Sequence, residues 1–308
     1  GQAPSPHRPT ASTARQARAR SRACTDGAEM QTWTSWRALQ RECVDRRARG
    51  QRIGFVPTMG FLHSGHTSLM DVARARCDFL VVSIFVNPLQ FGPNEDLDRY
   101  PRDPEGDAQK CLNHGVDALL MPTDGDFYPS DRSTTVHVAR LSDGLCGGDR
   151  PGHFDGVTTV VARLFGIVQP HVAVFGEKDY QQLAVIRRMV RDLALPIDIV
   201  GGALVRDTDG LALSSRNKYL SADQRKRALS LSGALRAVRD AVTEGQDDVG
   251  VLLALAHGRL KVDQLDYLEI RDATDLSPML VVDRPARAFV AAKLGNTRLI
   301  DNLAVNRC

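Results

Sequence analysis

The sequence predicts an α/β fold: a doubly wound, Rossmann-like parallel sheet with a second, smaller α+β domain at the C-terminus. Short apolar runs rich in β-branched residues alternate with helical stretches between residues 53 and 200, which is the pattern of repeated βα units. The alternation ends near Arg206. A chain of 308 residues is also longer than most single domains. We therefore expect one domain over residues 30–205 and another over residues 206–308.

The first domain is predicted to begin with an amphipathic helix over residues 32–50, with Trp36, Leu39 and Val44 on its apolar side and Gly50 as its C-cap. The strands are predicted as apolar runs at residues 53–56, 79–86, 118–121, 172–175 and 197–200. The helices between them are predicted at residues 66–76, 103–114, 157–168 and 181–193. Because such strand–helix–strand units are right-handed, the strands form one parallel sheet covered on both faces.

The second domain begins with a polar loop at residues 207–217. Two helices are then predicted, at residues 222–242 and 247–260, and three short strands at residues 266–270, 288–292 and 297–300. This order of elements indicates the smaller α+β domain.

The first 29 residues differ from the rest of the chain. They are rich in Arg, Ala, Ser and Thr, and the first acidic residue is Asp26. This composition predicts a disordered N-terminal extension over residues 1–29. An organellar transit peptide fits it as well as upstream translated sequence or a cloning remnant does, because Met30 is a plausible start.

Composition and charge limit the kinds of molecule that the protein is expected to bind. The net charge of +3, from 40 basic and 37 acidic residues, is too balanced for a polynucleotide footprint and favours a small anionic substrate. The six cysteines are scattered with no CxxC pair, which predicts reduced thiols and a cytoplasmic protein. The apolar run at residues 79–86 is too short to cross a bilayer. We expect no nucleic acid, no membrane and no metal site made of protein ligands.

The first candidate site is the segment Val-Pro-Thr-Met-Gly-Phe-Leu-His-Ser-Gly-His at residues 56–66. It places His63 and His66 where the first strand of the sheet meets its helix. A helix N-terminus attracts phosphate through its free N–H groups, and imidazole donors beside it can hold a leaving pyrophosphate. Gly60 and Gly65 would let the backbone approach a nucleotide. Two capping or surface histidines, or two ligands of a metal ion, fit the spacing alone better.

Two further segments offer cations, one in the loop after the sheet domain and one at the end of a predicted strand. Leu213-Ser-Ser-Arg-Asn217 could wrap polyphosphate oxygens with two hydroxyls and a guanidinium, or could be a solvated loop. Gly176, Lys178 and Asp179 follow a buried strand, and ligands of open α/β sheets bind at that strand end. Lys178 could neutralise phosphate and Asp179 could accept from ribose hydroxyls. A plain N-cap with a surface lysine explains both residues nearly as well.

A fourth segment ends another strand with the amides Asn87 and Gln90. Facing each other, Gln90 and Gln182 could orient a small hydroxy-carboxylate by hydrogen bonds instead of charge. Ordinary turn chemistry after a strand is the commoner explanation of such residues.

In this order the motifs resemble those of the pantothenate synthetases (pantoate–β-alanine ligases), members of the nucleotidyltransferase superfamily with a His-x-Gly-His motif. The resemblance spans about residues 30–305 and is carried by residues 56–66, 83–100, 152–156, 174–182, 209–220, 267–271 and 297–302. It departs from the family at Ser64, where an acidic residue is common, and it is loose over residues 130–137.

The resemblance implies an enzyme that condenses pantoate with β-alanine through a pantoyl-adenylate, with ATP as a substrate, Mg²⁺ on the triphosphate and a homodimer as the assembly. It implies that Gln90 and Gln182 bind pantoate and that His66 is a proton donor. The implied catalytic residues are His63, His66, Lys178, Ser214, Ser215 and Arg216. The implied ATP site comprises Met59, Gly60, Phe61, Leu62, His63, Ser64, Gly65, His66, Gly176, Glu177, Lys178, Asp179, Val205, Leu213, Ser214, Ser215 and Arg216. Another adenylate-forming nucleotidyltransferase and an inactive nucleotide-binding module are the alternatives.

Overall fold

A computed structural model describes residues 30–93 and 95–306, so the predicted disorder of residues 1–29 lies outside the described residues. The first sheet has six parallel strands in the order β1-β4-β3-β2-β5-β6. They are β1 (Gln31–Trp33), β2 (Ile53–Thr58), β3 (Phe79–Ile84), β4 (Ala118–Leu120), β5 (Val172–Gly176) and β6 (Asp198–Gly202). The predicted doubly wound parallel sheet is confirmed, and each predicted strand lies within one of the observed strands or overlaps it.

Helices cover both faces of this sheet. They are α1 (Trp36–Ala48), α2 (Ser64–Arg74), α3 (Pro104–Asn113), α4 (Asp124–Phe127), α5 (Cys146–Asp149), α6 (His153–Val168) and α7 (Tyr180–Asp192). Side chains alternate between the faces, so Phe55 of β2 packs with α1, α6 and α7, whereas Val56 packs with α2 and α3. This alternation gives the sheet two apolar layers.

The structure differs from the sequence prediction at the start of the chain and in three helices. The predicted first helix begins four residues late, at Trp36, because residues 31–33 form the edge strand β1 against β4. Helix α6 begins at His153 and not at residue 157. The short helices α4 and α5 were not predicted, since four residues are too few to show a helical period.

The C-terminal part contains α8 (Ala222–Thr243), α9 (Val249–His257) and an antiparallel sheet of β7 (Gln264–Asp272), β8 (Ala286–Leu294) and β9 (Thr297–Val305). The strands are longer than predicted, and α9 is shorter. Leu231 and Leu235 of α8 share a buried apolar core with Val290 of β8. The predicted α+β character of this part is confirmed, and the boundary at residue 206 remains a prediction.

The topology places a crevice at the carboxyl ends of the strands of the first sheet. From the middle of the sheet, the chain moves towards one edge strand through β2, β3 and β4, and later towards the other edge strand through β5 and β6. Ligands of open α/β sheets bind beyond the carboxyl ends of the strands where this direction switches. The switch lies between β2 and β5, which are hydrogen-bonded neighbours. Phe289 of β8 joins the apolar core of the first sheet, so the C-terminal sheet packs beside this edge. None of the helices described is long and apolar enough to span a bilayer.

Candidate active site

Two connected cavities open at the switch point. The inner cavity, about 230 Å³, is lined by residues that follow β2, β3, β5 and β6. The outer cleft, about 1280 Å³, extends from it towards β7 and β9. Both are lined by Gln90, Arg150, Lys178, Gln182 and Arg216. Most of the residues singled out from the sequence line the inner cavity: Met59, His63, Gly65, His66, Gln90, Gly176, Lys178, Asp179, Gln182, Val205, Leu213, Ser214, Ser215 and Arg216.

His63 and His66 form the N-terminal cap of α2. His63 Nδ1 accepts from the Gly65 N–H at 3.1 Å, and His66 Nδ1 accepts from the His63 N–H at 3.3 Å. A neutral imidazole that accepts through one nitrogen donates through the other, so both rings carry their proton on Nε2. A Cβ atom at Gly65 would lie 2.9 Å from the His63 ring, which explains the glycine between the histidines. The capping interpretation therefore holds, and it leaves one N–H donor on each ring.

Both imidazoles are neutral at pH 7. Burial, and then the positive charge of Lys178, lower the pKa of His63 to about 4. Burial, followed by the charges of His63 and Lys178, lowers the pKa of His66 to about 3. The ring centroids are 4.1 Å apart, a distance at which two imidazolium ions would repel strongly. The pair therefore offers hydrogen-bond donors without carrying positive charge.

A buried carboxylate, missed by the sequence analysis, holds the turn before these histidines. Asp107 of α3 is 1% exposed, and its two oxygens accept from the Phe61 N–H and the Leu62 N–H, each at 2.7 Å. The turn needs such support because Gly60 and Phe61 have φ angles of 84° and 50°, and the left-handed region is costly for a residue with a side chain. Asp107 therefore fixes the backbone that leads into α2.

The Ser-Ser-Arg segment also lines the inner cavity. Ser214 Oγ accepts from the Arg216 N–H at 3.2 Å, and the Ser215 hydroxyl donates to the Phe61 carbonyl at 3.4 Å. The Arg216 guanidinium donates twice to Asp96, at 2.7 and 3.0 Å. Burial opposes ionisation of Asp96, yet the hydrogen bonds and charge of Arg216 hold the pKa of that carboxyl below its usual value. Arg216 is thus charged, partly buried and held by a carboxylate at the cavity rim.

The amide groups of Asn87, Gln90 and Gln182 also line the inner cavity. Asn87 is buried and donates to Gln90 Oε1 at 3.0 Å and to the Gly156 carbonyl at 3.1 Å. The Gln90 carbonyl accepts from His153 Nδ1 at 2.8 Å. Gln182 lines both cavities. The adjacent Gln181 is buried and accepts from the Cys146 N–H at 3.0 Å. It lines the outer cleft but not the inner cavity.

Five residues of the implied ATP site line neither cavity: Gly60, Phe61, Leu62, Ser64 and Glu177. Leu62 is in the apolar core and Ser64 is exposed on the first turn of α2. The Glu177 carboxylate accepts from Arg287 at 3.3 Å. Their contact with ATP remains a prediction. Across residues 30–93 and 95–306, no cluster of His, Cys, Asp or Glu is placed to hold a metal ion.

The chain matches one protein family over nearly the whole of its described part. A family model described as pantoate-beta-alanine ligase matches residues 29–304. Pantothenate synthetase from Pseudomonas putida (strain W619) is 54% identical over 281 residues, which are 90% of this chain and 98% of that protein. Pantothenate synthetase from Syntrophotalea carbinolica is 52% identical over 267 residues, or 86% and 94% of the two chains.

Solved structures agree with the sequence comparisons. Pantothenate synthetase from Thermus thermophilus superposes with a TM-score of 0.85 at 47% identity, covering 90% of this chain and all of that one. Pantoate-beta-alanine ligase from Francisella tularensis, solved as a complex with beta-gamma ATP and beta-alanine, superposes with a TM-score of 0.72 at 34% identity, covering 89% and 97% of the two chains.

Proposed function

The chain belongs to the pantoate-beta-alanine ligase family, and we infer that it condenses pantoate with β-alanine to pantothenate, converting ATP to AMP and pyrophosphate. The observation that supports this most is the meeting of two kinds of group in one cavity. The imidazoles of His63 and His66 and the ammonium group of Lys178 suit a polyphosphate, and the amides Gln90 and Gln182 suit a hydroxy acid. A nucleotide and a small acid can therefore be held side by side.

A carboxylate needs activation before an amine can replace one of its oxygens. In the first step a pantoate carboxylate oxygen attacks the α-phosphorus of ATP, so that a C–O–P bond forms and the bond from that phosphorus to the bridging oxygen breaks. Pyrophosphate leaves with the bonding electrons. In the second step the neutral amine of β-alanine attacks the acyl carbon, so that a C–N bond forms and the bond from that carbon to the phosphate oxygen breaks. AMP leaves with the bonding electrons, and the amine proton passes to solvent. The protein accelerates both steps by orientation and charge neutralisation.

The roles of the phosphate-binding residues follow from their charges. Lys178 and Arg216 supply the positive charge that offsets the departing pyrophosphate, with Ser214 and Ser215 holding the loop that presents Arg216. His63 and His66 donate from Nε2 to phosphate oxygens. Because both imidazoles are neutral before ATP binds, His66 meets the phosphate as a hydrogen-bond donor.

Arg216 has to serve two partners in this scheme. In the structure its fork is bound to Asp96, and Asp96 lines the outer cleft. A pyrophosphate offers the same arrangement of paired oxygens as a carboxylate. We place the guanidinium at the border of the two cavities, where it can hold Asp96 before ATP binds and the phosphate afterwards.

Mg²⁺ enters on the triphosphate in this proposal, because the described side chains offer cations and single carboxylates at the cavity instead of a set of oxygen ligands. When bound there, the ion neutralises phosphate charge. The resemblance supports a homodimer, which analytical ultracentrifugation tests. A cytoplasmic location is supported by the free thiols Cys43, Cys77, Cys111 and Cys146.

The deciding experiment is pantoate-dependent exchange of labelled pyrophosphate into ATP, followed by pantothenate formation when β-alanine is added. Exchange that requires pantoate and gives no product without β-alanine supports the two-step reaction. Exchange driven equally by amino acids or other hydroxy acids would assign the chain to another adenylate-forming activity, and ATP binding without any exchange would leave only the role of an inactive nucleotide-binding module.

A further inference from the structure

A residue of the C-terminal sheet holds the turn that carries Lys178. This turn, Glu177–Asp179, is a single turn of 3-10 helix directly after β5. Asn302 of β9 is 3% exposed, and its Nδ2 donates to the Glu177 carbonyl at 3.0 Å and to the Lys178 carbonyl at 2.8 Å. The peptide groups on both sides of the Lys178 Cα are therefore tied to one side chain about 125 residues away.

The orientation of the Asn302 amide is fixed by its neighbour Arg287. A guanidinium only donates hydrogen bonds, and Arg287 Nη1 donates to Asn302 Oδ1, so the NH₂ group has to face the turn. The same guanidinium donates to Glu177 Oε2 at 3.3 Å and lies 3.8 Å from the centre of the Tyr180 ring. The amide thus uses its oxygen and both of its hydrogens, which leaves it no alternative arrangement.

Strand β9 is itself held at this point. Asp301 is 3% exposed, accepts from the Asn302 N–H at 2.7 Å and receives both arms of Arg206 at 2.7 and 2.9 Å. Arg206 stands next to Val205, and its backbone bridges to Ala212, just before the Ser-Ser-Arg loop. Two adjacent residues of β9 therefore hold the two cationic segments of the cavity, one each.

We propose that Asn302 is a positioning residue for adenylate formation, acting through the backbone of Lys178. The proposal rests on the proposed role of Lys178. A lysine reaches its target on a flexible four-carbon stem, so the position of its ammonium group depends on the backbone at its root. Without the Asn302 donors, two partly buried carbonyls lose their partners and the turn relaxes towards water. A displacement of about 1 Å from the productive position can cost roughly 100-fold in rate.

Asn302→Asp is the sharpest test because it keeps the size of the side chain and the acceptor for Arg287, and replaces the two donors with an oxygen that repels the carbonyls. We expect pantoate-dependent ATP–pyrophosphate exchange to fall by about 100-fold. Transfer from supplied pantoyl-adenylate to β-alanine should stay within about threefold, since the pyrophosphate has already gone.

A double-mutant cycle with Lys178→Ala separates positioning from general damage. If Asn302 acts through Lys178, adding Asn302→Asp to Lys178→Ala should slow exchange by less than about threefold. Tyr180→Phe is the matched control, because it removes a nearby hydrogen bond to the C-terminal part, from the Tyr180 hydroxyl at the start of α7 to the Ala273 carbonyl after β7 at 2.8 Å, and leaves the turn carbonyls paired. It should keep exchange within about twofold of the wild type.

Full additivity in the cycle, or equal losses in both half-reactions, would overturn the positioning role. If Lys178→Ala alone left exchange intact, the proposed role of Lys178 would fail, whereas an impaired Lys178→Ala beside an active Asn302→Asp would reject only the present proposal. Should Asn302→Asp not fold, Asn302→Ser retains one donor. It should lose part of the exchange activity, and unchanged exchange would count against the proposal.

Discussion

Replacing Asp107 with Asn tests whether a carboxylate outside the cavities sets the geometry of the histidine turn. The substitution keeps the shape of the side chain and removes one of the two acceptors, so the N–H of either Phe61 or Leu62 loses its partner. Both hydrogen bonds are 2.7 Å long. The turn they hold contains a non-glycine residue in the left-handed region, Phe61 with φ at 50°.

The magnitude follows from the hydrogen bonds. A hydrogen bond to a charged group contributes about 1.5–3 kcal/mol, and a neutral one about 1 kcal/mol. Asp107→Asn removes one charged bond and weakens the other, and it relieves part of the cost of burying a charge whose nearest cation, Lys110 Nζ, is 3.6 Å away. We expect the free energy of unfolding to fall by about 2–4 kcal/mol. Pantoate-dependent exchange should fall by about 10- to 100-fold, because His63 follows the released turn.

Urea unfolding and the exchange assay measure these two effects, with Asp103→Asn as the matched control. Asp103 lies next to the same helix and at the same distance from Lys110, 3.6 Å, but its side chain accepts from the Gly106 N–H and not from the turn. Its loss should cost at most about 1 kcal/mol, as for a weakened N-cap, and should leave exchange unchanged. If the Asp107 variant behaved like the Asp103 variant in both measurements, the assignment of Asp107 to the turn would be wrong.

Three further predictions concern the cavity. Gln90→Ala should raise the KM for pantoate at least about tenfold and leave the KM for ATP within about twofold, because the amide is proposed to orient the acid and not the nucleotide; steady-state kinetics with the opposite pattern would refute this. Arg216→Lys keeps the charge but loses the fork held by Asp96, so single-turnover adenylate formation should slow about tenfold at unchanged pantoate affinity. The pKa of His63 is about 4 in the fold, and an unfolded His has a pKa of about 6.5. Its proton is therefore taken up mainly by the unfolded state, and the free energy of unfolding should fall as the pH drops below about 6.5. When the pH is lowered from 7.5 to 5, the free energy of unfolding of His63→Asn, measured by urea titration, should fall by about 1–2 kcal/mol less than that of the wild type. An equal fall in the two proteins would contradict the lowered pKa.

The sequence predicted those parts of the fold that local patterns encode. The apolar runs that became β2, β3 and β5 are buried over almost their whole length, so hydrophobicity alone locates them. In α1 the prediction placed Val44 on the apolar side, yet it is 44% exposed while Cys43 is fully buried. Strand β1 was missed because its three residues gain their structure from pairing with β4, a partner distant in the sequence.

In the candidate site, too, the sequence located some of the residues and missed others. His63, Lys178 and Gln90 follow strands that end at the switch point, so the order of strands and helices was enough to bring them together. Asp107 and Asn302 were missed because an acidic residue in a helix and an amide in a strand carry no local signal. The roles of these two residues depend on hydrogen-bond partners 46 and 125 residues away in the sequence, and those contacts form only when the chain folds.

The distribution of charge in the cavity explains why neutral histidines and permanent cations occur together. Pantoate and ATP are both anions, so they approach each other only where positive charge offsets their repulsion. In the proposed reaction Lys178 and Arg216 supply that charge, and Arg216 is paired with Asp96 in the structure. Two imidazolium ions with ring centres 4.1 Å apart, beside a lysine, would repel one another and destabilise the fold. Neutral rings avoid that cost and still donate from Nε2, and their orientation is set by backbone N–H groups of the same helix cap. The donors are thus in place before the nucleotide arrives, and little reorganisation remains for the moment of reaction.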